Sequence, residues 1–179
     1  MIASNRELML YRKAPKTGDE LSILGFGCMR LPQKDGRIDE ERATRQIRHS
    51  IDCGVNYIDT AWPYHGGESE PFVGRALADG YRERVKLATK LPAGLVKSRA
   101  DMDRFLDAQL KRLDTSRIDY YLVHSLNGSS WDGIAALGVA EFLDRAQSDG
   151  RIGTAGFSYH GMREDFPRVA DAYPCEKPI

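Results

Sequence analysis

Short apolar runs alternate five times with longer segments of helical periodicity along this chain. Residues 23–27, 55–59, 85–90, 118–126 and 154–157 read as strands, rich in Val, Ile, Leu, Tyr and Phe. Residues 39–53, 69–78, 98–113, 136–147 and 163–173 read as helices, the last interrupted near Pro167. Asp39 is a candidate cap for the first helix, and Ser98 with Asp101 a capping pair for the third. Such alternation implies right-handed crossovers and a parallel sheet covered by helices. Ahead of it, residues 9–22 hold two short strands around Pro15 and Gly18, which reads as a hairpin. Residues 127–133 read as a polar loop.

Three successive strands end in an ionisable residue: Asp59, Lys90 and His124, with Tyr64 in the loop after Asp59. Taken singly, each has an ordinary explanation: a turn-forming acid, a rim aromatic, a solvated lysine, a satisfied core histidine. Together they suit a barrel of parallel strands, where the carboxyl ends meet at one mouth and chemistry is built there. An open doubly wound sheet fits less well. Gly25 and Gly27 lack the third glycine of a dinucleotide fingerprint, and Pro32 interrupts the helix that should follow. Trp62 and Trp131 lie in loops at the same mouth, as pocket walls or as packing. Ile23, Ile58, Leu87 and Val123 are expected to point into the barrel interior.

Lys plus Arg and Asp plus Glu both number 26, so neither nucleic acid nor an acidic membrane surface has an overall electrostatic claim on the chain. No apolar run approaches the ~20 residues that span a bilayer, and the first residues lack a secretory core. Cys28, Cys53 and Cys175 are odd in number and without metal-ligand spacing, as expected of reduced thiols in a cytoplasmic protein. A metal-dependent barrel hydrolase using Asp59 and His124 is an alternative. It is weakened by the want of a second histidine of ligand type or of a carboxylate cluster of that type.

The run I-L-G-F-G-C-M-R-L-P from Ile23 and the run I-D-T-A-W-P-Y-H-G-G-E-S-E from Ile58 resemble the aldo-keto reductase family. They resemble in particular the bacterial members whose full-length forms often carry a carboxy-terminal 4Fe-4S segment. The resemblance extends over residues 9–173. It implies an α/β fold of (β/α)8 TIM-barrel type, here incomplete with about five β/α units, preceded by the β-hairpin. It also implies NADPH (or NADH) as cofactor and a small-molecule aldehyde or ketone as substrate. The family's catalytic tetrad falls on Asp59, Tyr64, Lys90 and His124, with Tyr64 as proton donor. Cofactor contacts are implied for Gly27, Met29, Arg30, Asp59 and Ser158, while Tyr159 stands where many relatives have Asn. No metal site is implied in this chain, since the cysteine ligands of the 4Fe-4S cluster are absent from its sequence.

A complete barrel of this type needs ~250 residues, and the chain has 179. The family's sixth to eighth strands, and the basic loops that grip the cofactor's adenosine phosphate, have no counterpart. The expectation is a single domain over residues 1–179, with 1–8 an extension ahead of a candidate initiator Met9, 23–173 five units, and 174–179 an aberrant tail. A truncated or frame-shifted product is the first reading and a natural short form the second. A non-catalytic remnant or interaction module is then the alternative to an active reductase. An arc of five strands would leave two open sheet edges, which favours self-association.

Overall fold

The computed structural model of the protein describes residues 9–172. The expected extension over 1–8, the tail over 174–179 and Cys175 lie outside them. The chain opens on an antiparallel hairpin of β1 (Tyr11–Lys13) and β2 (Glu20–Ser22). After β3 (Phe26–Gly27) comes a second small hairpin, β4 (Gln33–Lys34) and β5 (Arg37–Ile38). There follow α1 (Glu40–Asp52), β6 (Tyr57–Asp59), α2 (Ser69–Ala76), β7 (Lys86–Leu91) and α3 (Arg99–Arg112). Next are β8 (Ile118–Leu126), α4 (Gly128–Ala136), α5 (Val139–Ser148), β9 (Ile152–Tyr159) and α6 (Phe166–Ala172).

The main sheet runs β3-β6-β7-β8-β9, every neighbouring pair parallel and joined through helices, as the alternation requires. Among the described residues β3 and β9 are its edges. Side chains alternate across it. Ile58, Leu87, Leu91, Tyr121 and Val123 are fully buried in one apolar core with Ile47, Ile51, Phe72, Met102, Leu106 and Phe142 from the helices. Each such side chain contributes roughly 1.5–3 kcal/mol over its exposed state. The opposite face carries Tyr57, Asp59, Lys86, Lys90, Tyr120 and His124, which contact one another or the first hairpin.

This corrects the expected barrel interior. Ile58, Leu87 and Val123 face the helix layer, and Ile23, 56% exposed, precedes the two-residue β3 rather than lying in a buried strand. The polar loop over 127–133 is instead most of α4. Asn127 caps it by accepting the Ser130 N–H at 2.9 Å and giving its own N–H to Ser130 Oγ at 2.8 Å. The helix expected to begin at Ala136 is divided by Gly138, whose φ of 79° ends α4 and starts α5. Pro167 lies in the first turn of α6, where its missing N–H costs nothing, so it opens that helix rather than interrupting it.

The first hairpin closes the amino-terminal end of the polar face. Asp19 accepts the Tyr120 hydroxyl at 2.7 Å and pairs with Lys86 at 2.8 Å. Burial pushes the Tyr120 phenol up to about 12. The carboxyl-terminal end of the same face is left for the site.

Candidate active site

Asp59 ends β6 and Lys90 lies near the end of β7, the adjacent strand. Lys90 Nζ donates to both Asp59 carboxylate oxygens, at 2.7 and 2.8 Å, and to the Thr60 carbonyl at 2.8 Å. The Tyr64 hydroxyl lies 3.4 Å from the same Nζ. Lys90 is 5% exposed, and the carboxylate beside it offsets part of the cost of burying its ammonium. Tyr64 sits in a 3-10 turn, Tyr64–Gly67, after the loop that leaves β6.

His124 is supplied by β8. Its ring centroid lies 6.0 Å from that of Tyr64, the two planes at 79°. The β8–β9 pairing shifts register between Val123 and Leu126, and Ser125 takes a φ of 57° in the bulge. Burial, and then the Lys90 cation, hold the His124 imidazole below its ordinary value against the opposing pull of Asp59. The neutral ring, with one donor and one acceptor nitrogen, is therefore the favoured form.

The sequence-derived residues thus divide into a converged set and a peripheral one. Asp59, Tyr64, Lys90 and His124 converge at one mouth. Gly27 pairs with Asp59 in the β3–β6 register, and a side chain added there would meet no atom within 4 Å. Gly25 is different: a Cβ there would touch the Tyr57 ring at 3.4 Å, so its bareness serves packing. Met29 is 57% exposed and Arg30 exposed in the turn after β3. Ser158 Oγ accepts the Ser125 N–H at 2.7 Å, tying β9 to the bulge beside His124 and leaving its own proton to donate. Trp131 is buried in the helix layer as part of the apolar core. Cys28, also buried, has its thiol pushed up to about 12 by burial, the Asp59 charge adding to the shift.

Sequence reasoning missed His65. Its φ of 53° and ψ of 41° turn the ring back toward β3, where Nε2 accepts the Leu31 N–H at 3.2 Å and Nδ1 meets the Gln33 side-chain amide at 2.9 Å. An acceptor Nε2 on a neutral ring leaves the proton on Nδ1, so the Gln33 carbonyl oxygen belongs on that contact. His65 thereby ties the loop after β3 to the turn bearing Tyr64. Its only trace in the sequence is its place next to Tyr64. Also missed is a buried polar cluster, Glu70, Thr89 and Gln109, behind Lys90. Among the described residues no group of three or more His, Cys, Asp and Glu is placed to hold a metal ion.

Known proteins resemble this chain in sequence and in fold. The sequence model of the aldo/keto reductase family matches residues 23–169. Aldo-keto reductase YhdN of Bacillus subtilis is 32% identical over 184 aligned positions, which cover 95% of this chain and 54% of that protein. The structure of aldo-keto reductase AKR11C1 from Bacillus halodurans, in its holo form, superposes with a TM-score of 0.75 at 30% identity, over 92% of this chain and 54% of that one. A Klebsiella pneumoniae aldo-keto reductase in complex with NADPH gives a TM-score of 0.71 at 26% identity, covering 89% and 53%. The chain therefore spans about half the length of the relatives it matches, its five-stranded sheet being an incomplete form of their barrel. With the family's sequence model covering most of its length and its fold matching theirs, the chain belongs to the aldo/keto reductase family.

Proposed function

We propose that this chain carries the proton-donor side of an NAD(P)H-dependent reductase site that converts a small aldehyde or ketone to an alcohol. The observation that carries the reading is Lys90 Nζ held by Asp59 and lying 3.4 Å from the Tyr64 hydroxyl, with the His124 ring edge-on to the phenol. A carbonyl oxygen gaining a hydride on its carbon needs a proton at once. Tyr64 gives that proton, the neighbouring Lys90 cation stabilises the phenolate left behind, and Asp59 keeps the ammonium charged in a half-dry mouth. His124 donates a hydrogen bond to the carbonyl oxygen and orients it.

The residues at this mouth fit the nicotinamide end of a dinucleotide. Gly27 leaves open space beside Asp59, and Ser158 has a free hydroxyl proton. Gly27, Met29, Arg30, Asp59 and Ser158 would hold that group, which supplies the hydride when bound. The Klebsiella pneumoniae structures hold NADP or NADPH, which favours the phosphorylated dinucleotide for this chain as well. The single-domain reading, a cytoplasmic setting and self-association along the β3 and β9 edges belong to the same proposal.

The test is NADPH consumption at 340 nm across a panel of aldehydes and ketones, for the chain and for Tyr64→Phe. The expected result is carbonyl-dependent turnover that falls by about 10²–10⁴ in the variant. Equal turnover in both proteins at saturating cofactor would sink the role given to Tyr64. Absence of turnover and of NADPH binding would favour the non-catalytic alternative.

A further inference from the structure

Glu70 lies in α2 and is fully buried, a costly place for a carboxylate. Its Oε1 accepts the Thr89 hydroxyl at 2.7 Å and the Gln109 amide at 2.6 Å. Its Oε2 receives Arg112 at 3.3 Å. The Gln109 amide also donates to the Lys90 carbonyl at 3.0 Å, and its own carbonyl accepts the buried Tyr121 hydroxyl at 2.7 Å. The Lys90 backbone is thus pinned from behind the sheet while its ammonium works in front.

Arg112 carries the tie across to the other half of the pair. Its guanidinium lies 3.5 Å from the centroid of the Trp62 ring, and Trp62 in turn packs edge-on against Phe105 at 4.9 Å. Trp62 stands two residues before Tyr64 in the loop leaving β6. One buried carboxylate therefore anchors the strand of Lys90 directly and the loop of Tyr64 through a stacked arginine. A planar guanidinium can lie flat on the indole while its N–H edge pairs with the carboxylate, a geometry the compact ammonium of lysine does not have.

We propose that Glu70 and Arg112 are positioning residues that set the Tyr64–Lys90 separation, acting through Trp62 and Gln109 rather than on substrate. This rests on the reductase reading for its kinetic consequence, but the clamp itself is measurable without turnover. In Arg112→Met, amide exchange over residues 61–66 should quicken about tenfold or more while that of β7 stays as in the unaltered chain. Turnover should fall about tenfold or more in Arg112→Met and Glu70→Gln, with NADPH affinity within about twofold, because a small misplacement of reacting groups costs rate before binding. Arg112→Lys should recover thermal stability but little turnover. The double variant Glu70→Gln/Arg112→Met has no unpaired buried charge. It should regain the stability that Arg112→Met loses and none of the turnover. Recovery of turnover together with stability in the double variant, or unchanged exchange over 61–66 in Arg112→Met, would overturn the proposal. An unaltered chain without NADPH-dependent turnover counts against the reductase reading alone, and the exchange comparison still decides the clamp.

Discussion

Lys90 binds the Asp59 carboxylate diagonally: the strand register sets Asp59 opposite Ala88, and the ammonium reaches back two residues to grip both oxygens. Directly opposite residues would leave a long lysine folded on itself. The diagonal lets the stem extend along β7 and brings Nζ within reach of the Thr60 carbonyl and the Tyr64 hydroxyl as well.

Removing the acid should therefore cost stability. Asp59→Asn leaves a buried ammonium without its anion, an expected loss of about 3 kcal/mol, the low end for a broken buried pair because Asp59 keeps 28% side-chain exposure. Asp59→Asn/Lys90→Met should be less destabilised than Asp59→Asn alone. Urea denaturation of the three proteins checks the order, and a double variant less stable than the single one would contradict it.

The fold was legible where local chemistry and global pattern agree. β7 and β8 are apolar with polar ends, and Ser98 with Asp101 forms the capping box its spacing suggests. The faces were not legible. A barrel interior is ordinarily filled with branched apolar side chains, which placed Ile58, Leu87 and Val123 inside, whereas here that face carries the alternating Tyr57, Asp59, Lys86, Lys90, Tyr120 and His124. The second hairpin was missed although Asp35-Gly36 is its turn signal, with φ of 52° and 77°. In the site, strand-end polarity revealed Asp59, Lys90 and His124. Glu70 stayed hidden, because a glutamate opening a helix usually faces solvent near the positive end of the dipole.

Acid should weaken the fold through His124. Its folded-state value is lowered, first by burial and then by Lys90 and, more weakly, His160. The unfolded chain thus takes up a proton near pH 6.5 that the folded ring resists. Stability should be unaffected by this group above that pH and fall as pH drops below it, until the folded ring also protonates. His124→Gln should show a shallower decline in urea midpoint between pH 7.5 and 5.5. Parallel declines in the two proteins would remove His124 as the cause.

Helix α2 meets α3 at Gly74. A Cβ there would lie 2.8 Å from the Arg112 carbonyl oxygen and 2.9 Å from that of Leu113, both backbone. Gly74→Ala should lose about 1–3 kcal/mol despite its better helix propensity. A thermal melt decides it; an unchanged or raised midpoint would show that the helices separate without cost.

The two described cysteines should react differently. Cys28 is buried with its thiol pushed up to about 12, whereas Cys53 is partly exposed. In a Cys175→Ser chain at pH 8, a thiol reagent should find one reactive group in the folded protein and a second only in denaturant. Two fast thiols under native conditions would mean that the layer over Cys28 opens readily.

The four converging side chains come from β6, the loop after it, β7 and β8, which are consecutive in the chain and neighbours in the sheet. The registers of two strand pairs fix Asp59, Lys90 and His124, and the loop leaving β6 adds Tyr64. Such a site is short-range in sequence: it can assemble once three strands have zipped together, ahead of any pairing with more distant segments. It is also separable from what surrounds it. On the proposed reductase reading, loops that follow Tyr159 can lengthen, shorten or change charge, and so retune which carbonyl is admitted, without disturbing Asp59, Tyr64, Lys90 and His124.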